Sequence, residues 1–324
     1  MNQRQLRQRL QGCYVTIPTL FEEDGLGLNL SGIARHVKFL MAGGLLEGTG
    51  VILSGGGAGD FSTMTIDERL KVAHTVVEAA EGRIPVTVGA QTTCTAELVE
   101  LATAAQQMGA DYIQVSPPFY FSHTEEDFFE YITAASEAAP GIGLIVYNTF
   151  WTSMGVSHGM VQRLVGLPNM AGLKWSSPGN KFFGFERVIQ EFSSQVAIID
   201  NQLKFITSHM LGARAIVLHI CNHWPQWGVK LWQLLEDKQY EQVQQELMNV
   251  VMPFYRLWDE MATITGGDGY LDKLCMELVG LDSSRCRPPT RDIRDRFRER
   301  AQRMLIDCGT PNVIEDVGSG PGSS

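Results

Sequence analysis

Lys174 is the residue whose position most directly suggests chemistry. It follows the apolar segment 170–173 and precedes Trp175. Burial among apolar side chains disfavours the ammonium form, so it lowers the pKa of a lysine and makes the neutral amine accessible. A neutral amine can attack a ketone to form an iminium, which withdraws electrons from a neighbouring C–C or C–O bond. The alternative is a structural lysine that reaches the rim of the fold or pairs with a carboxylate.

Tyr147 is the second candidate for catalysis, because it stands near the end of another apolar segment, 142–148. A phenol beside the amine could carry protons to and from a substrate oxygen. The alternative is a tyrosine of the core whose hydroxyl is satisfied by an ordinary hydrogen bond.

Short apolar strands alternate with helical segments over most of the chain. The eight predicted strands span 12–19, 50–54, 85–89, 112–116, 142–148, 170–174, 196–199 and 215–219. Strands that are apolar throughout are typical of a parallel sheet covered on both faces. Eight such units predict an α/β fold, a closed (β/α)₈ TIM barrel. Thr65 and Glu68 form the capping-box pattern at the start of one helix.

The predicted organisation has three parts. Residues 1–223 form the barrel and carry the active site, 224–308 form a C-terminal helical extension, and 309–324 form a disordered tail that ends in GSGPGSS. Active sites of such barrels lie at the carboxyl ends of the strands. The residues expected there are Thr19, 54–60, Gln91, 116–120, Tyr147, Asn148, Lys174, Asp200, Asn201 and 219–223.

Several segments carry a resemblance to a known family. They include GGAGDFSTMTIDER (56–69), GADYIQVSPPFY (109–120), VYNT (146–149), NMAGLKWSS (169–177) and GARAIVLHICNHWP (212–225). In these segments the chain resembles the dihydrodipicolinate synthase / N-acetylneuraminate lyase family. The resemblance implies that Lys174 forms the Schiff base and that Tyr147 is its proton relay. It also implies a homotetramer built of dimers. No cofactor is predicted.

The resemblance further implies a set of substrate-binding residues. The family binds the carboxylate of a pyruvate-like substrate on a G-[ST]-[ST]-G-E loop, which reads Gly-Gly-Ala-Gly-Asp at 56–60 in this chain. Both hydroxyls are lost, at Gly57 and Ala58, although backbone N–H groups can still hold an anion. Water, Ser54 or Thr19 would then replace the hydroxyl that relays protons to the tyrosine. Tyr120 corresponds to a tyrosine that crosses a dimer interface, and Val217 to a residue whose carbonyl faces the pocket.

Residues near the strand ends indicate the chemical class of the second substrate. The stretch 149–155 contains no arginine, so the carboxylate clamp of the synthases is missing. Asp200-Asn201-Gln202 matches only in part the acidic residues with which sialic acid lyases bind a polyol. Aromatic residues are abundant instead, and they suit an apolar or aromatic substrate: Phe119, Phe150, Trp151, Trp175 and Trp224. Of these, Trp151 and Trp175 are predicted to bind substrate.

The predicted function is a lyase that cleaves or forms a C–C bond of a 2-oxo acid, with pyruvate and an apolar or aromatic aldehyde as the small-molecule partners. A dehydratase or deaminase acting on a sugar acid or a hydroxylated cyclic imine would use the same iminium. A third possibility, motivated by the lost hydroxyls, is a barrel that binds a ligand without catalysis.

Composition excludes several other classes of function. The formal net charge is −10, with 36 acidic and 26 basic residues, which is unsuited to a phosphate backbone. The six cysteines are scattered without metal-ligand spacing. His219 and His223 lie four residues apart, but the eighth strand ends there, so helical metal-ligand spacing is not expected. No metal, nucleic acid or membrane is predicted as a partner, and the expected location is the cytoplasm.

Overall fold

A computed structural model describes residues 3–23, 26–152, 154–176 and 184–314. Eight parallel strands close into a barrel in chain order, each paired with its neighbours and the last with the first. The strands are β1 (Gly12–Thr16), β2 (Gly50–Ser54), β3 (Val86–Gly89), β4 (Tyr112–Val115), β5 (Gly143–Thr149), β6 (Met170–Ser176), β7 (Ala197–Asp200) and β8 (Ala215–Val217). The predicted (β/α)₈ TIM barrel is confirmed.

Helices follow the strands and cover the outside of the barrel. They are α2 (Leu30–Ala42), α3 (Ile66–Ala80), α4 (Thr95–Gln107), α5 (Glu125–Ala138), α6 (His158–Leu164), α7 (Gly184–Phe192) and α8 (Phe205–Leu211), preceded by α1 (Gln3–Arg9). The capping box at Thr65 and Glu68 is present, because each side chain accepts a hydrogen bond from the other residue's backbone N–H. Among the helices that the structure describes, none has the length and apolarity needed to cross a bilayer.

Apart from a register irregularity in β6 at Ala171, side chains along the strands alternate between an inner and an outer set. The inner set fills the barrel together with two leucines of the N-terminal segment: Leu6, Leu10, Tyr14, Val51, Leu53, Tyr112, Ile145, Ala171, Ala197, Ile199, Ala215 and Val217. Helix α1 closes the lower end, where the Tyr112 hydroxyl donates to the Leu6 carbonyl at 2.7 Å. The upper, carboxyl ends of the strands are therefore the end at which polar residues can reach a substrate.

The chain continues after β8 as helices. A short 3₁₀ helix (His219–Asn222) leads to α9 (Pro225–Glu236), α10 (Tyr240–Glu246), a π-helical turn (Leu247–Val251), α11 (Met252–Ala262), α12 (Tyr270–Leu278) and α13 (Arg294–Asp307). These helices share one apolar core with β1, β2 and α2. The C-terminal helices are confirmed, whereas the domain boundaries at 223 and 308 stay a prediction. Most of the predicted tail, from 315 onward, lies outside the described residues.

A buried ion pair fastens α12 to the loop that follows β2. Lys273 Nζ lies 2.6 Å from Asp60 Oδ2, and the two side chains are 1% and 5% exposed. Lys273 Nζ also donates to the Arg285 carbonyl at 3.1 Å. Because the loop after β2 belongs to the upper end of the barrel, this pair fixes the extension close to the candidate site.

Replacing Lys273 with methionine is expected to lower the free energy of unfolding by about 3–5 kcal/mol, because it leaves a buried carboxylate without its partner. The matched control is Lys204→Met, which removes an exposed pair with Glu186 and should cost at most about 1 kcal/mol. Urea denaturation of both variants measures the difference. Equal losses in the two variants would contradict the structural role given to Lys273.

Candidate active site

Lys174 and Tyr147 lie side by side on neighbouring strands. They are direct partners in the register of β5 and β6. Lys174 Nζ lies 4.4 Å from the centroid of the Tyr147 ring and 5.2 Å from that of Tyr14 on β1. Only 5% of Lys174 is exposed. The structure therefore brings together the two residues predicted to be catalytic, at the upper end of the barrel.

The environment of Lys174 favours its neutral amine. Burial lowers the pKa of Lys174 to about 8, and the carboxylate of Asp268 acts in the opposite direction. Within the described ranges no carboxylate forms an ion pair with the amine. A pKa near 8 leaves roughly a tenth of the amine neutral at pH 7, whereas an ordinary lysine leaves less than about a thousandth.

The Tyr147 hydroxyl is hydrogen-bonded and stays protonated at neutral pH. Burial raises the pKa of Tyr147, the side chains of Thr149, Ser176 and Asn201 oppose the shift, and the carboxylate of Asp268 adds to it. Asn201, which follows β7, donates from Nδ2 to the Tyr147 hydroxyl at 2.9 Å. The phenol is therefore a proton donor at neutral pH, with its oxygen held in one place.

The loop predicted to bind a carboxylate forms a 3₁₀ turn (Gly57–Gly59) after β2. In the part of the chain that the structure describes, the N–H groups of Gly57 and Ala58 donate no hydrogen bond, so both can receive an anion. Val217 lies on the inner face of β8 and pairs with Tyr14 on β1. Gly57, Ala58 and Val217 thus belong to the same end of the barrel as Lys174.

Trp175 is not in the pocket, which corrects the prediction that it binds substrate. Neighbouring residues of a strand point to opposite faces, so a lysine inside the barrel places the next residue outside. Trp175 stacks on Phe185 of α7, with ring centroids 6.3 Å apart, in the outer apolar layer. Asp200 is also turned outward, where its carboxylate accepts a hydrogen bond from the Ser208 hydroxyl at 2.6 Å.

The remaining predicted aromatic residues fall into separate groups. Trp151 is 65% exposed and packs on Phe150 at 4.6 Å, just beyond the end of β5. Tyr120 is 84% exposed, touches Phe121, and has a positive φ of 89° that is unusual for a tyrosine. Phe119 meets Phe61 edge to face, and Trp224 packs on Trp227. Phe150 and Trp151 are therefore the aromatic pair nearest to Tyr147 along the chain.

Three ionisable residues at this end were not assigned a catalytic role from the sequence. His219 Nδ1 lies 2.9 Å from Asp272 Oδ2 on α12. Asp268, just before α12, approaches the loop so closely that a Cβ on Gly57 would lie 2.7 Å from its Oδ2. Burial lowers the pKa of His219, but Asp272 and Asp268 outweigh it, so the net shift is upward. In the sequence, the Gly-Gly-Asp-Gly segment at 266–269 is the one indication that the backbone before α12 packs tightly against a neighbouring segment.

The two histidines considered as metal ligands have different surroundings. His219 faces Asp272, whereas His223 is buried and stacks on Phe254. Burial lowers the pKa of His223 to about 3. A search of the described residues finds no group of three or more histidine, cysteine or acidic side chains that could hold a metal ion.

Comparison with known proteins agrees with this geometry. The model of the dihydrodipicolinate synthetase family matches residues 9–307. The chain belongs to this family. A 4-hydroxy-tetrahydrodipicolinate synthase of Methanopyrus kandleri is 27% identical over 308 residues, covering 93% of this chain and 97% of the relative. One from Anaplasma marginale is 26% identical over 228 residues, covering 70% and 73%.

Solved structures show the same fold. Dihydrodipicolinate synthase from Oceanobacillus iheyensis superposes with a TM-score of 0.83 at 23% identity, covering 95% of this chain and all of that one. Proteus mirabilis N-acetylneuraminate lyase gives a TM-score of 0.81 at 22% identity, covering 93% and 99%. The low identity marks a divergent member. As a member of this family, the chain is a lyase of the pyruvate-dependent aldolase type.

The pH dependence of iminium formation is expected to follow the Lys174 amine. With pyruvate and borohydride, the initial rate of adduct formation should rise with pH through a midpoint near 8, because only the neutral amine attacks. Mass spectrometry of samples quenched at intervals measures this rate across the pH range. A midpoint near 10.5, the ordinary value for lysine, would show that the amine is not desolvated as described.

Proposed function

We propose that this protein cleaves or forms a C–C bond of a 2-oxo acid through a Schiff base on Lys174, with pyruvate and an apolar or aromatic aldehyde as the two smaller molecules. The observation that carries the proposal is the direct pairing of a buried amine with a half-buried phenol, Lys174 with Tyr147.

Iminium formation requires one nucleophile and one proton donor. The neutral Lys174 amine attacks the C2 carbonyl, and one amine proton moves to the carbonyl oxygen. Tyr147 adds a second proton to that oxygen, so water leaves and an iminium and a tyrosinate remain. Because the Tyr147 phenol is protonated at neutral pH, it can perform this step.

Bond cleavage uses the tyrosinate that iminium formation leaves. Tyr147 takes the proton of the C4 hydroxyl, the C4–O bond becomes the aldehyde carbonyl, and the C3–C4 electrons flow into the iminium. The products are an enamine on Lys174, the aldehyde and a neutral tyrosine. Protonation of the enamine at C3 and hydrolysis then release pyruvate and the free amine.

The loop after β2 supports an oxo acid as substrate. The N–H groups of Gly57 and Ala58 are free to hold the carboxylate in the described structure, and Val217 lies on the neighbouring wall. Phe150 and Trp151 form an exposed aromatic pair just after Tyr147, which supports an apolar or aromatic group on the aldehyde substrate. The stretch 149–155 contains no arginine that could bind a second carboxylate.

Tyr120 supports an assembly in which a second copy covers this end of the barrel. A tyrosine that is 84% exposed and has a positive φ is strained and largely uncovered, as expected of a residue that a partner subunit buries. We propose a homotetramer built of dimers. Sedimentation of the purified chain checks it, and the Tyr120→Asp variant should sediment as a smaller species.

The function is tested in two stages. Borohydride reduction in the presence of pyruvate should give an adduct on the Lys174 peptide, identified by mass spectrometry. Pyruvate and a panel of aromatic, aliphatic and sugar aldehydes should then give the aldol product with the aromatic members. Loss of water or ammonia from a sugar acid or cyclic imine would favour the dehydratase or deaminase, and no adduct with any 2-oxo acid would favour a binding protein.

A further inference from the structure

The C-terminal extension touches the carboxylate-binding loop at two glycines. A Cβ on Gly57 would lie 2.7 Å from Asp268 Oδ2, and a Cβ on Gly269 would lie 2.6 Å from the Ala58 carbonyl oxygen. Gly269 also has a φ of 77°, which favours glycine. The absence of side chains at both positions is what allows the carboxylate of Asp268 to lie against the loop.

Asp268 therefore occupies the space that a hydroxyl at position 57 would fill. A serine or threonine there would carry its oxygen on the Cβ that Asp268 Oδ2 crowds. The other two oxygens considered for this purpose are less suitable. The Thr19 hydroxyl donates to the Gly59 carbonyl at 2.7 Å, and the Ser54 hydroxyl is fully enclosed.

The charge of Asp268 is coupled to the groups around it. Burial raises the pKa of Asp268, His219 opposes the shift, Asp272 adds to it, and Lys174 opposes it. The ionisable groups that interact with it come from the barrel and from the extension: Lys174, Tyr147, His219, Tyr255, Tyr270, Asp272 and Cys286. Burial of the Asp268 carboxyl beside Asp272 favours its protonated form, which is the form that can donate a proton to a substrate carbon.

The location of Asp268 indicates the reaction step in which it acts. Asp268 lies against Gly57, on the loop proposed to hold the C1 carboxylate, and it interacts electrostatically with Lys174, which bonds C2. A carboxyl with these two neighbours is a candidate to act at C3, the carbon bonded to C2. Tyr147 regains its proton when the C–C bond breaks. The enamine that remains still needs a proton at C3, and Tyr147 is not required for that step.

We propose that Asp268 is a catalytic residue that protonates C3 of the enamine on Lys174, a role that rests on the Schiff-base function proposed above. The carboxylic acid gives its proton to C3, which forms a C–H bond and restores the iminium, and Asp268 becomes a carboxylate. Hydrolysis of the iminium then consumes one water and releases one proton. That proton returns to Asp268, so the cycle needs no further reactant.

Exchange of the pyruvate methyl protons in D₂O isolates this step, since it requires the iminium and C3 chemistry but no aldehyde. Proton NMR should show exchange by the wild-type protein. Asp268→Asn should slow it about 10²–10⁴-fold, the usual contribution of a general acid or base. Borohydride trapping of pyruvate on Lys174 should persist in the same variant. Asp259→Asn, an exposed position of α11, serves as control and should exchange at the wild-type rate.

Asp268→Gly provides a second variant in case the amide disturbs the loop, and circular dichroism checks both. Exchange within about tenfold of the wild type in a folded variant would overturn the proposal, and so would loss of the borohydride adduct, which would place Asp268 before the iminium. If the wild-type protein itself gave no adduct with pyruvate, the Schiff-base function would fail instead.

Discussion

Lys174→Met is expected to abolish the borohydride adduct and to lower kcat/KM by at least about 10⁴-fold, because the reaction loses its nucleophile and its electron sink. Methionine keeps most of the length and the apolar stem of the side chain, so the packing against Tyr147 and Tyr14 is retained. The amine is desolvated and has no ion pair in the described structure. Its removal should therefore leave the free energy of unfolding unchanged or raise it.

The pairing of lost activity with retained stability distinguishes a catalytic lysine from a structural one. Lys38→Met, at an exposed position of α2, is the matched control and should retain activity, adduct formation and stability. Trapping by mass spectrometry, steady-state kinetics and urea denaturation on both variants give the three readouts. An adduct that persists in Lys174→Met, or one that maps to another lysine of the wild-type protein, would show that the Schiff base forms elsewhere.

The parts of the fold predicted correctly are those that depend on local patterns. The apolar strands, the helical segments between them and the capping box at Thr65 are all encoded over a few neighbouring residues. Once the strands are placed, barrel closure aligns their carboxyl ends, and the proximity of Lys174 to Tyr147 follows. Helix α1 was not predicted, because its segment is polar apart from Leu6 and Leu10, which are inserted into the barrel.

The misassignment of Trp175 has a different origin. The prediction used only the position of the residue near a strand end, and it did not use the alternation of side chains along β6. With Lys174 assigned to the interior, the outward face of Trp175 could have been predicted from the sequence. The structure adds only that the side chain of Trp175 packs against Phe185.

The contact between Asp268 and Gly57 could not be predicted from local sequence patterns. The approach of Asp268 to Gly57 depends on how the extension packs on the barrel, which the buried pair of Lys273 and Asp60 helps to fix. The sequence shows a loop without hydroxyls and, far along the chain, a glycine-rich turn with an aspartate. Only the tertiary packing shows that Asp268 fills the space that the missing hydroxyl leaves at Gly57.

Tyr147→Phe is expected to lower kcat by about 10²–10⁴-fold while changing KM much less, because the hydroxyl acts on protons in the transition state rather than on binding. The phenyl ring keeps its place beside Lys174 Nζ, and the hydrogen bonds of the hydroxyl, among them the one from Asn201 Nδ2, are lost. Adduct formation with pyruvate should slow by a similar factor but still reach completion, since Lys174 remains. Rapid-quench trapping and steady-state kinetics measure the two effects.

Tyr131→Phe is the matched control for the loss of a buried hydroxyl, since Tyr131 donates to the Thr92 carbonyl in the outer layer. It should change kcat by less than about twofold. If Tyr147→Phe and Tyr131→Phe behaved alike, Tyr147 would be a packing residue, and the proton for the departing water would have to come from another group. The ionisable groups of α12 and its preceding loop would then be the first to examine, because Asp268 already acts electrostatically on both Lys174 and Tyr147.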